Sequence, residues 1–151
     1  MTQLSAHFSL DEFLVSQTAA RLGRAIEPTA SDIRNLTRLC ETVLEPLRID
    51  LRLPIQITSG LRPPWLNQAI GGSTSSAHMD GRAADIRVQG MKPIDVCRRV
   101  VAIGLPIDQV IHEFGSWTHV GIAAEGSTPR NQQRTARVVN GRTVYELGVN
   151  A

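Results

Sequence analysis

The strongest pattern in the chain is a helical stripe. Ile33, Leu36, Leu39, Cys40, Val43, Leu44 and Leu47 recur at three- and four-residue spacings, with Arg34, Asn35, Arg38 and Glu41 on the other faces. Thr29 or Ser31 is placed to cap this helix, and Pro46 to kink or end it. Upstream, Ser9-Leu10-Asp11-Glu12 reads as a capping box for a short helix containing Phe13, Leu14 and Leu22, with Phe8 as staple and Gly23 as stop. Over residues 53–59 the period drops to two, the alternation of a half-buried strand. Residues 84–88 predict the next strand, and Pro93 opens a helix through Ile94, Cys97, Val100 and Val101 that Gly104 closes. Two further strands are predicted at 108–114 and 117–122, joined at Gly115-Ser116. Near the end, Asn140-Gly141 between β-formers predicts a tight hairpin. The pattern as a whole predicts an α+β fold, a small and mostly antiparallel sheet packed with helices.

Composition narrows what such a fold does. A chain of 151 residues with 42% hydrophobic residues suits one domain over residues 1–151. Residues 124–151 form a hairpin-containing tail to which the sequence assigns no role. No apolar run approaches the roughly 20 residues of a membrane span. The first residues lack the basic and apolar regions of a secretory signal, so synthesis in the cytoplasm is expected. Sixteen Lys and Arg against fourteen Asp and Glu leave a formal charge of only +2, and aromatic residues are 4%. Neither favours a nucleic-acid partner. Cys40 and Cys97 fall in apolar helical patterns and are expected as buried free thiols.

The polar, glycine-rich stretch from 60 to 81, with one short helix near 65–70, is long enough to suggest function. His78 lies in it, and Asp85 follows seven residues on. Gly81, Ala83 and Ala84 between them allow a tight return toward the sheet. Trp117, His119 and Gly121 share one strand face, and Glu113 shares a face with Ile111 and Gln109. Pairing of these two strands would let Glu113 face His119 across the ladder. Two His and one carboxylate are zinc ligand types that leave a fourth position open, as catalytic sites do. Spacing alone also accommodates histidines that bind nothing. His112 should point to the opposite sheet face and His7 to the surface, while Asp80 suits a turn. Arg130, Arg134, Arg137 and Arg142 read as a solvated face, or else as a grip on an anionic wall polymer.

Ser76-x-His78-x-x-Gly81-x-Ala83-x-Asp85, with the later Trp117-x-His119-Val120, resembles the zinc peptidases of the D-Ala-D-Ala carboxypeptidase family, M15, which includes phage endolysins. The run Ile-Thr-Ser-Gly-Leu-Arg-Pro at 57–63, then Leu66-Asn67 and Gly71-Gly72-Ser73, fits the same pattern, and the resemblance covers about residues 5 to 122. It implies a Hedgehog/DD-peptidase-like fold and a zinc ion held by His78, Asp85 and His119. It further implies Arg62 on the carbonyl or carboxylate side of the substrate, with Ser73 and Ser76 lining the same loop. Trp117 is read as a pocket wall, the alternative being plain core. Many members place an acid three residues before the last ligand, where this chain has Ser116. Glu113, six residues before His119, is taken as the general base, a spacing similar to the Hedgehog-like arrangement. The implied activity is zinc-dependent hydrolysis of peptidoglycan stem peptides, at D-Ala-D-Ala or at L-Ala-D-Glu, through a metal-activated water. With no signal segment and one small domain, the protein is expected as a monomer without membrane or nucleic-acid partners, reaching the cell wall by phage or prophage delivery. The alternative is a non-catalytic zinc-binding module, structural or peptide-binding, in a phage tail or wall-associated assembly. The position of Glu113 discriminates the two, because only a catalyst needs an acid beside the metal.

Overall fold

The computed structural model describes residues 2–151. The alternating segments form β1 (Ile55–Ser59), β2 (Ala83–Val88), β3 (Gln109–Glu113), β4 (Trp117–Gly121), β5 (Gln132–Val139) and β6 (Arg142–Leu147). They make one sheet in the order β1-β2-β4-β3-β5-β6. The α+β architecture with a mostly antiparallel sheet is as expected, but the sheet is mixed. β5 runs parallel to β3, and the other four pairings are antiparallel. The chain leaves β4, crosses over residues 122–131 and re-enters beside β3 in the same direction, which a two-residue hairpin cannot achieve.

The helices are α1 (Gln17–Arg21), α2 (Ala30–Leu39), α3 (Glu45–Leu51), α4 (Pro64–Ile70) and α5 (Pro93–Ala102). The single helix expected near residues 9–22 is instead two pieces. Leu10–Phe13 form a 3-10 turn, entered where the Ser9 N–H donates to Glu12 Oε2 at 2.7 Å. The chain then extends at Ser16, whose Oγ accepts from the Ala19 N–H and starts α1. Thr29 caps α2 as part of a reciprocal box with Asp32.

Pro46 does not end the long helix, which continues to Leu51. A π turn over Cys40–Leu44 joins α2 to α3, and the Glu45 N–H reaches back five residues to the Cys40 carbonyl. Pro46 thereby falls in the first turn of α3, where a missing N–H costs least.

One face of the sheet carries the core. Ala84, Ile86, Val88, Val110 and Val120 pack under Leu36, Leu39, Val43, Leu44 and Leu47, and under Val96 and Val100 of α5. Cys40 and Cys97 are buried free thiols within this layer. The opposite face presents Asp85, His119, Glu113 and their row neighbours. The tail hairpin turns through Asn140 and Gly141, both at positive φ (52° and 77°), as the Asn-Gly pair predicts.

Candidate metal centre

Asp85 and His119 are direct cross-strand partners on β2 and β4, so the ladder itself sets them side by side. His78 arrives from a different direction. It sits on a 3-10 turn, Ala77–Asp80, whose start is capped by Ser76 Oγ accepting the His78 N–H at 3.2 Å. Gly81 ends that turn at φ 79°, and a Cβ there would lie 2.7 Å from the Asp32 carbonyl oxygen of α2. Only glycine satisfies both the left-handed backbone and the close approach.

The ligand atoms of His78, Asp85 and His119 lie within 4.8 Å of one another, and all three residues are buried. His78 Nε2 is 3.3 Å and His119 Nδ1 is 3.1 Å from the same oxygen, Asp85 Oδ1. The other nitrogen of His78, Nδ1, lies 2.8 Å from the Gly60 carbonyl, which can only accept. Nδ1 therefore carries a hydrogen and leaves Nε2, which faces the carboxylate, as the nitrogen whose lone pair can bind a metal. Two acceptors at that distance repel unless positive charge lies between them. A proton serves one such contact, whereas a divalent ion serves all three ligand atoms. Two imidazole nitrogens and one carboxylate oxygen, with one ring fixed by a backbone carbonyl, fit zinc. Burial would raise the Asp85 carboxyl, but His78 and His119 outweigh it and hold the group well below the usual carboxylate range.

Glu113 completes the cluster in a position that differs from expectation. The β3–β4 turn sets Glu113 opposite Trp117, and His119 opposite Ile111. Phe114 and Gly115 take left-handed conformations in that turn, which fixes the register. Glu113 therefore reaches His119 diagonally, with Oε1 3.5 Å from Nδ1. Burial pushes its carboxyl up to about 7; His119 and Arg62 oppose the rise, and Asp85 adds to it.

Arg62 is placed by its own backbone, whose N–H donates to the His78 carbonyl at 2.8 Å. Among the described residues, the buried Nε of Arg62 and the buried Nε1 of Trp117 have no hydrogen-bond partner. The Trp117 ring packs edge-on against Phe114, with centroids 5.6 Å apart. Ser76 belongs to the turn that carries His78, while Ser73 stands in the exposed loop and bonds Ser75.

The remaining polar candidates lie outside the cluster. His112 is buried on the opposite face, with Nδ1 2.7 Å from the Asn150 carbonyl. His7 lies at the surface against Glu45, and Asp80 pairs with Arg82. Arg130 and Arg137 pair with Asp108 and Glu146. A wider cleft bounded by Gln56, Arg87, Met91 and Ser116 is lined by no His, Cys, Asp or Glu side chain.

A family model described as Peptidase M15 matches residues 6–121. The chain belongs to the peptidase M15 family. No curated protein matches it. Membership makes the chain a metallopeptidase, and M15 peptidases are typically zinc-dependent. The matched span of this M15 peptidase contains His78, Asp85, His119, Glu113, Arg62 and Trp117, and it stops before β5. No helix among the described residues is long and apolar enough to cross a membrane.

Tyr145 of β6 carries no local sequence signal of a place beside this cluster. It stands opposite Ala136 of β5, which in turn stands opposite Glu113. The Asn140-Gly141 turn located its strand, but nothing local indicated that β5 would lie along β3.

Proposed function

We propose that this M15 peptidase hydrolyses peptidoglycan stem peptides, with His78, Asp85 and His119 as the residues that hold zinc. The observation that carries the reading is a buried His–Asp–His cluster with a fourth acidic group, Glu113, 3.5 Å from one of its histidines. A purely structural or binding site has no use for that acid, so its position favours the catalyst over the binding module.

When bound, zinc acts as a Lewis acid on the scissile carbonyl and lowers the pKa of water to roughly 7. The protein's own residues supply the rest. Glu113 Oε1 accepts the proton of the attacking water and returns it to the leaving amine. Arg62, whose buried Nε lacks a partner, holds the substrate's carbonyl or carboxylate. It also lines a groove with Ser59, Leu61 and Ile70, and Ser59 is the β1 partner of Asp85. An extended peptide in that groove enters beside the cluster. Trp117 Nε1 offers a further donor on the row of Glu113. Ser76 acts indirectly by fixing the turn under His78, and Ser73 lies on the outer rim of the same loop.

The test is zinc-loaded protein incubated with purified muropeptides, with products identified by mass spectrometry. Loss of terminal alanine identifies D-Ala-D-Ala cleavage, and release between L-Ala and Glu identifies the endopeptidase. No product from any muropeptide, while His78→Ala still abolishes zinc uptake, would overturn the enzymatic reading and keep the metal site.

A further inference from the structure

We propose that Tyr145, delivered by the tail hairpin, is a substrate-contacting residue whose phenol donates a hydrogen bond to a carbonyl or carboxylate of the bound peptide. The proposal rests on the peptidase reading of the His78–Asp85–His119 face and adds a contact that lies outside the family-matched residues 6–121.

The register carries the argument. Across β4, β3, β5 and β6, one row of the sheet reads Trp117, Glu113, Ala136 and Tyr145. Direct partners project from the same face, so Tyr145 shares the face of Glu113. The residue between them is alanine, the side chain that least obstructs a large neighbour leaning over it. Ala136 is fully buried although it stands apart from the helix-side core, so larger side chains of this face cover it. Strands two apart are separated by about 10 Å, a distance within the combined reach of a tyrosine and a glutamate side chain. The charges that bear on the phenol agree with this placement. Burial raises its pKa first, the Glu113 and Asp85 carboxylates add to the rise, and Arg62 opposes it.

The alternative role for a tyrosine, core packing, does not fit, since Tyr145 is 54% exposed. Nor is the hairpin a loose flap. Thr135 Oγ1 donates to the Gly148 carbonyl and accepts from the Asn150 N–H, both at 2.8 Å. At the other end, Arg130 clamps Asp108, and the Asn131 and Gln132 N–H groups donate to the carbonyls of Ile107 and Asp108. Tyr145 is thus held in place and still reachable. Tyr145 and Trp117 stand on the row of Glu113, and the Arg62 guanidinium acts on both Glu113 and the phenol, so hydroxyl, indole and guanidinium donors share this side of the sheet. Such a donor set suits an acceptor-rich ligand, and the carbonyls and terminal carboxylate of a peptide are that chemistry.

Tyr145 is the single tyrosine of the chain, which makes the test selective. Fluorotyrosine incorporation yields one fluorine resonance that reports Tyr145 alone. Zinc-loaded full-length protein carrying Glu113→Gln, to keep the peptide intact, is titrated with a stem pentapeptide ending in D-Ala-D-Ala and with an L-Ala-D-Glu peptide. The expected result is a saturable shift of the resonance with one of them. In the otherwise native enzyme, Tyr145→Phe should lower kcat/KM about fivefold to tenfold through loss of one hydrogen bond, with zinc content and Tm unchanged. An unmoved resonance together with unchanged Tyr145→Phe kinetics, in a protein that cleaves muropeptides, overturns the proposal and leaves the peptidase reading intact. A saturable shift in a protein that cleaves nothing upholds the contact and overturns the hydrolytic reading instead.

Discussion

The four strands β1, β2, β4 and β3 and the β5–β6 hairpin share one hydrogen-bonded sheet, yet different forces hold them. The inner strands are clamped from one side by α2, α3 and α5 through fully buried side chains such as Ile86, Val110 and Val120. The hairpin leaves Val138, Val139, Val144 and Leu147 exposed and contributes few buried positions, chiefly Thr135 and Ala136. It is fastened by its ladder and by polar ties from Thr135, His112, Asp108 and Arg137. The metal cluster stands on the clamped part, where ligand atoms must hold their places to a fraction of an ångström. The proposed substrate contact stands on the tied part. The difference predicts that chemistry, global stability and hairpin order respond to different substitutions.

The largest effect is expected at Glu113. Glu113→Gln should retain zinc and Tm while turnover falls by roughly a hundredfold or more; near-normal turnover would assign the base elsewhere. Next is the clamp beneath the cluster. Ile86→Ala empties a fully buried site and should cost about 2–5 kcal/mol in denaturant unfolding, with zinc per folded chain unchanged. Loss of zinc at unchanged stability would erase the distinction between the two faces of β2. On the hairpin, Thr135→Val removes a hydroxyl that makes two hydrogen bonds and should cost about 1–3 kcal/mol. Amide exchange should rise in β5 and β6 and stay slow in β2 and β4. Equal acceleration in all four strands would show that the hairpin unfolds only with the core.

The smallest effect is a response to acid at the entry to β5. Hydrogen bonds from Arg130 hold the Asp108 carboxyl below its ordinary value, against the opposing effect of burial. A depressed folded-state pKa means the tie is at full strength above the unfolded value of about 3.9 and fades as pH falls through the lower folded one. Exchange protection at the Asn131 and Gln132 amides, corrected for intrinsic rates, should therefore be constant from neutrality to about pH 5 and fall as pH drops through the unfolded value of about 3.9. Asp108→Asn should remove that step, and persistence of the step would place the titrating group elsewhere.

Much of the layout was legible in the chain. The stripe from Ile33 to Leu47 became the helix over the core, the Asn140-Gly141 pair became the hairpin turn, and the residue types at His78, Asp85 and His119, read through the family resemblance, marked the cluster. These are local signals, set by side-chain period, turn conformation and residue type. The breaks in legibility have local causes too. Ser16 extends the backbone and splits the first helix, and the π turn before Pro46 carries the second helix through the proline.

By itself, then, the sequence determined which segments are helical or extended, which face of each is apolar and which side chains bring metal and acid chemistry. Tertiary structure alone decided how those pieces meet. The β3–β4 register put Glu113 diagonal to His119, with Trp117 opposite it. The Gly60 carbonyl selected the nitrogen that His78 turns toward Asp85. The parallel pairing of β5 with β3 brought Tyr145 onto the row of Glu113, which lies 32 residues earlier in the chain. Strand order and register depend on contacts between distant segments competing for the same edges. No pattern within a single strand encodes which partner wins.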